Sequence, residues 1–198
     1  MNRIAIIDLG SNSIRFIIIS VSAKGIYQLI YQEKRSIRLA EGMSDDSPFL
    51  TDAAQNRAID CLKVYAHLAK VHQVTKTLAV ATAARNGSSF LKRVHSAANI
   101  PMTIISGKQE AALGFSGVIH TIDTSEFLLF DLGGASIEIS LVKNKKQLHS
   151  VSIPIGAVSL TEKFKSSGLL SAAEIKHIRS YIKSKLQSIP WLPKSPIP

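Results

Sequence analysis

Apolar residues run almost unbroken over residues 3–8 and 14–21, and the stretch between them, Gly10 to Ser13, is small and polar. Short apolar runs bounded by turn residues read as buried strands, so two Ile-rich strands joined by a tight turn open the chain. A third strand follows the Gly25 break over 25–39, with partial alternation of apolar and polar positions. Thr51 suits the N-cap of a helix over 52–72. Residues 75–82 read as a short buried strand, 88–99 as helix and 101–106 as strand. Ser106 and Gln109 form an S-x-x-Q capping box that opens a helix in "SGKQEAALGFSGVIH". Strands near 126–131, 136–142 and 147–153 come next, the last two joined by "KNKK". Helices are expected around 158–166 and 171–188, the second started by a box of Ser171 and Glu174. The tail "PWLPKSPIP" carries four of the seven prolines and admits neither regular helix nor sheet.

Three strands followed by alternating helix and strand is an α/β layer arrangement. The opening pattern then returns 123 positions later. Aligning "DLGSNSI" from Asp8 on "DLGGASI" from Asp131 gives five identities in seven, each copy flanked by apolar strands. Turn chemistry alone does not require the acid that precedes each turn. This is an internal repeat at domain scale, and it predicts two subdomains, 1–118 and 119–198.

A strand–Asp–x–Gly–turn–Ser–strand unit suits phosphate chemistry. Glycine permits backbone arrangements that a side chain blocks, consecutive N–H groups in such a turn can bind phosphate oxygens, and a carboxylate at a strand end can hold hydrated Mg²⁺. Two copies on facing subdomains would clamp a phosphoryl group. The charge fits such a ligand: 24 Lys+Arg against 14 Asp+Glu gives +10, which favours polyanionic partners. No block of like charge marks a nucleic-acid tail, so no specific nucleic-acid partner is expected. Basic "KNKK" reads as a solvated hairpin tip. Lone Cys61 excludes an internal disulfide and reads as a small core residue. No zinc pattern and no membrane-length apolar run appear, which predicts a soluble, cytoplasmic protein without a membrane partner.

"DLGSNSIR", "ISGKQEAALGFSGV", "DLGGASIE" and "IPIGAVSLTEKF", in this order, resemble the motifs of the exopolyphosphatase/guanosine pentaphosphate phosphohydrolase family. The resemblance spans residues 3 to about 188. It implies the ribonuclease H-like (actin-like ATPase) fold, with one complete subdomain and a partial second one. It further implies hydrolytic release of terminal phosphate from inorganic polyphosphate or guanosine pentaphosphate, assisted by Mg²⁺. By resemblance, Asp8, Gly10, Ser11, Asn12, Ser13 and Arg15 correspond to the first phosphate loop. Asp131, Gly133, Gly134, Ser136 and Glu138 correspond to the second, with Asp8 and Asp131 as metal ligands and Glu138 a catalytic acid near the metal and the nucleophilic water. Glu110 corresponds to the glutamate that positions or deprotonates the attacking water, and Arg38 in "IRLAEGM" falls near the anionic substrate.

The residues themselves leave alternatives open at some of these positions. Glu110 in a first helical turn also favours the helix dipole. Glu138 alternates with Ile137 and Ile139, so a solvent-facing position suits it too. Arg15, between Ile14 and Phe16, calls for an anion, either phosphate or a structural carboxylate.

Three features depart from the family pattern. Ala135 stands where a third glycine is usual, and a positive φ there would strain the loop. Arg85 lies in a segment shorter than the family's, so no role is carried to it. The second subdomain lacks the strands that complete it in the family, which predicts an open sheet edge, an uncovered apolar face and a homodimer. A shortened member that binds polyphosphate or nucleotide without turnover is the alternative function.

Overall fold

The computed structural model describes residues 2–43, 47–82, 86–164 and 169–192. Thirteen elements follow one another: β1 (Asn2–Leu9), β2 (Ser13–Val21), β3 (Tyr27–Ser36), α1 (Asp52–Val71), β4 (Lys76–Thr82), α2 (Gly87–Ala98), β5 (Thr103–Ile105), α3 (Gly107–Val118), β6 (Phe127–Leu132), β7 (Ile137–Lys143), β8 (Lys146–Ile153), α4 (Ala157–Lys163) and α5 (Ala172–Gln187). They form two compact units, Met1–Ile105 and Ser106–Pro198. Helix α3, grouped with the first half on sequence, packs on β8, β7 and β6 and so belongs to the second unit.

The first unit is a five-stranded sheet in the order β3-β2-β1-β4-β5. β1, β2 and β3 pair antiparallel, whereas β4 joins β1 and β5 joins β4 in parallel. Strand alternation sorts the side chains. Ala5, Ile7, Leu9, Ile14, Phe16 and Ile18 form one face and are at most 1% exposed. They share a core with Ala54, Ala58, Leu62 and Tyr65 of α1 and with Phe90 and Val94 of α2. Phe16 stacks on Tyr65 with ring centroids 4.5 Å apart. Burying side chains of this size stabilises by about 1.5–3 kcal/mol each. Thr51 caps α1 by accepting the Ala54 N–H at 3.3 Å.

The second unit has a three-stranded antiparallel sheet, β6-β7-β8. Its apolar face, built on Ile139 and Ile153, packs with Ile155, Leu160, Tyr181, Ile182, Leu186 and Ile189. The opposite face carries Glu138 and Ser140 and lies under α3. Both capping boxes form: Ser106 with Gln109 and Ser171 with Glu174. Asn144 and Lys145, at φ +51° and +57°, make the two-residue hairpin loop that matches strand twist, and "KNKK" is an exposed tip.

The repeat extends to backbone irregularities. β2 slips register against β3 between Ile18 and Ile19, and β7 slips against β8 between Leu141 and Val142. These positions are also 123 residues apart. Bulges of this kind bend and twist a strand, so the two units share a shape as well as a motif.

Among the described residues, no helix is long and apolar enough to cross a membrane. Cys61 is 6% exposed in the α1 core. Burial pushes its thiol above the ordinary cysteine range, and only the thiolate is reactive. Folded protein at pH 7.5 is therefore expected to resist iodoacetamide, with alkylation appearing in step with urea unfolding. Rapid labelling of the folded chain by mass spectrometry would contradict this packing.

Candidate active site

The first turn begins where β1 ends. Asp8 lies directly across from Arg15, and Leu9 across from Ile14. Gly10 N–H donates to Ser13 O at 3.0 Å and closes the turn. The carbonyls of the turn are tied down by the segment after β3. Ser11 O accepts from Ala40 N–H at 2.8 Å, and Asn12 O accepts from Ile37 N–H at 2.9 Å and Arg38 N–H at 2.8 Å. Carbonyl oxygens repel phosphate, so engaging them within the unit favours an anion-binding turn.

Arg38 sits in the left-handed region at φ +48°, which costs a non-glycine residue about 1–2 kcal/mol. The surrounding bonds impose it. Besides the Arg38 N–H bond, Arg57 donates through Nε to Ile37 O at 3.0 Å and through Nη2 to Arg38 O at 3.2 Å. Arg57 also pairs with Glu41 at 2.6 Å. The Arg38 guanidinium itself is 62% exposed, 3.7 Å from Glu41. Strain held in place by neighbours is a feature of working sites.

Arg15 sits on the exposed face of β2. Ile14 and Phe16 are fully buried, but Arg15 points to the other side of the sheet and is exposed. The strand therefore does not desolvate its charge, and what it meets in register is Asp8.

The second turn repeats the first and then departs from it. Gly133 N–H donates to Ser136 O at 2.9 Å. Neither Gly10 nor Gly133 has a positive φ; a Cβ there would stand 3.3 or 3.2 Å from the Ser13 or Ser136 carbonyl. Glycine is needed for the close approach alone. Ala135 does not have a positive φ either, so the strain expected from its methyl group is absent.

The carbonyls of this turn are held by α4: Ala157 N–H donates to Gly133 O at 3.0 Å, and Val158 and Ser159 N–H to Gly134 O at 2.8 and 3.0 Å. Ser159 Oγ adds a bond to Ala135 O at 3.2 Å. The motif "IPIGAVSLTEKF" is thus the clamp of the second turn. Gly156 lies so close that a Cβ would land on the Gly134 and Ala135 backbone.

Across this turn Asp131 faces Glu138, where the first unit has Asp8 facing Arg15. Glu138 is 3% exposed, which excludes the solvent-facing alternative. Its Oε1 accepts from Ser152 Oγ at 2.6 Å, and Ser152 is its partner on β8. Glu110 is half-buried in the first turn of α3. Gly107 of α3 lies against Ser152, and a Cβ at Gly114 would be 3.5 Å from Asp131 Oδ2. Positions 107, 110 and 114 share a helix face. One side of α3 therefore brings Glu110 to the face of the sheet that holds Asp131, Glu138 and Ser152.

A family model, the Ppx/GppA phosphatase family, matches residues 17–195. The chain belongs to this family. It is 29% identical over 194 residues to a Haemophilus influenzae protein named as an exopolyphosphatase, covering 96% of this chain and 59% of that one. The crystal structure of an exopolyphosphatase from Cytophaga hutchinsonii superposes with a TM-score of 0.87 at 25% identity, covering 95% of this chain and 62% of the other. The Aquifex aeolicus PPX-GPPA enzyme gives a TM-score of 0.71 at 28% identity, with 100% and 66% covered. The chain spans about three fifths to two thirds of these relatives. Its fold is the actin-like ATPase fold that the resemblance implied, complete in the first unit and partial in the second.

Sequence reading missed four residues that build the site: Arg57, Ser152, Gly156 as a contact, and Ser159. Ser152 left a local signal as a polar position in the alternation of β8, and Gly156 and Ser159 lie inside the motif "IPIGAVSLTEKF" without their contacts being legible from it. Arg85 lies outside the described residues, as do the end of the helix expected over 158–166 and most of the proline-rich tail. Gly156→Ala is expected to destabilise the protein by about 1–3 kcal/mol, the usual cost of overpacking against fixed atoms. A urea unfolding midpoint unchanged from wild type would show that the second turn does not depend on this approach.

Proposed function

We propose that the chain carries phosphoanhydride hydrolase machinery, releasing terminal phosphate from inorganic polyphosphate or from guanosine pentaphosphate. The observation that carries the reading is the meeting of Glu110's helix face with Asp131 and Glu138 beside a turn whose carbonyls are all engaged. The family membership supports the same class of reaction.

In this reading Gly10, Ser11, Asn12, Ser13 and Arg15 bind phosphate oxygens at the first turn, and Gly133, Gly134 and Ser136 do so at the second. Arg38, exposed on its strained backbone, attracts the polyanion. Glu110 orients the attacking water and accepts its proton, with Glu138 supporting that water. Phosphoryl transfer depends chiefly on positioning and charge stabilisation, which fits a site made of turns and carboxylates.

Asp8 and Asp131 are the proposed Mg²⁺ ligands. Among the described residues no group of three or more His, Cys, Asp and Glu forms a ready-made cage, but Mg²⁺ usually takes one or two carboxylates with substrate phosphates and water. The pairing of Asp131 with Glu138 fits this. Like charges directly opposed on a sheet cost stability, and a hard cation relieves the repulsion. When bound, the metal neutralises phosphate charge.

The test is phosphate release from polyphosphate, guanosine pentaphosphate and ATP, with Mg²⁺ and with EDTA. Release from either of the first two, abolished by EDTA and lowered about 10²–10⁴-fold by Glu110→Gln, is expected. No release, or release indifferent to Glu110→Gln, overturns the reading. Saturable polyphosphate binding without turnover, lost in Asp8→Ala, would reassign the chain as a binding protein.

A homodimer is proposed as well. Among the described residues the outer edge of β6 is unpaired, and Phe130 and Leu132 are 51% and 63% exposed there. Open edges with apolar side chains favour association. Light scattering is expected to show a concentration-dependent dimer, and a monomer at every concentration would count against it.

A further inference from the structure

Ser152 is assigned no part by the motifs, yet it occupies the junction of three elements. It lies on β8, donates to Glu138 on β7, and carries Gly107, the first residue of α3, directly on its side chain. The carboxylate it serves is almost wholly buried, so water has little access to replace a lost donor. A hydrogen bond to a charged acceptor is about twice as strong as a neutral one and fixes direction as well as distance.

We propose that Ser152 is a positioning residue for the hydrolytic reaction. Its hydroxyl holds Oε1 of Glu138 and so orients the carboxylate beside Asp131, while its Cβ seats the N-terminal turn of α3 that bears Glu110. The two acids assigned to the water are thereby referenced to one small side chain. Gly107 is what allows this, because a side chain there would occupy the space of Ser152 and lift the helix. The inference rests on the hydrolase reading of Glu110 and Glu138.

Ser152→Ala removes the hydroxyl and keeps the Cβ on which Gly107 rests, so it isolates the orienting role. It is expected to lower kcat for phosphate release about 10–100-fold, as misplacement of a catalytic group does, with KM within about twofold. The discriminating measurement is a double-mutant cycle with Glu138→Gln. A residue acting through the Glu138 carboxylate adds no more than about twofold in the Glu138→Gln background. A merely structural serine lowers kcat by the same factor in both backgrounds, and that result overturns the proposal, as does an unchanged kcat in Ser152→Ala.

The same four proteins are compared by urea unfolding. Coupling between the two positions is expected there too, because the Ser152 hydroxyl serves a charged acceptor only in the Glu138 background, and its bond to the neutral amide oxygen of the Glu138→Gln variant is about half as strong. If the wild-type chain releases no phosphate, the hydrolase reading fails. Coupled unfolding would then keep Ser152 as the residue that fixes Glu138, and additive unfolding would remove it.

Discussion

Each half of this protein is organised around one backbone hydrogen bond that closes a turn. Gly10 N–H to Ser13 O and Gly133 N–H to Ser136 O close the two reversals at 3.0 and 2.9 Å. The bond draws each glycine so near the serine carbonyl that a side chain would be crowded, and it places the preceding acid at the mouth of the turn. Further carbonyls are then taken up by a later segment: those of Ser11 and Asn12 by residues 37–40 in the first unit, and those of Gly133 and Gly134 by the start of α4 in the second. What is duplicated is therefore a backbone device, comprising a closed turn, carbonyls engaged by a later segment and an acid at its edge. The matching strand bulges show that the copied unit is the whole three-stranded meander.

Much of this was legible in the sequence because it is local. Hydrophobic runs gave the strands, capping boxes gave the starts of α3 and α5, and the repeated Asp–Leu–Gly pattern located both turns. What escaped was long-range. Arg57 reaches back about twenty residues to carbonyls of the segment that holds the first turn, and nothing in its helical setting announces that reach. Gly156 is required by contact with Gly134, far from it in the chain. Burial decided Glu138, since alternation alone allows either face. The concern over Ala135 arose from assigning a left-handed conformation to a turn that uses none.

The differences between the copies are more informative than the likeness. At the same register position one turn opposes Asp8 to a cation and the other opposes Asp131 to a second carboxylate. Opposite charges across a sheet stabilise it and like charges do the reverse. The first turn thus sets opposite charges in register on its own two strands. The second does not, and beside it stand a buried acid held by a serine, a helix face carrying another acid, and glycines at two of the points where that helix approaches the sheet.

Within the proposed hydrolase reading, this asymmetry argues for a division of labour, in which the first turn is a holding device and the second carries the water chemistry. A purely structural duplication would not retain an opposed pair of carboxylates, because replacing either by a neutral residue would relieve the repulsion at no cost to the turn. Nor would it bury Glu138 and then provide Ser152 to satisfy it, since a buried acid with a donor is still costly compared with an apolar side chain of similar volume. The cost is confined to the face of the second sheet that α3 covers. The other face is conventional, with isoleucines packed against α5. A sheet that is ordinary on one side and electrostatically expensive on the other has had its polar side shaped by something other than stability, and the proposed hydrolysis of a phosphoanhydride would supply a reason for each of the expensive residues.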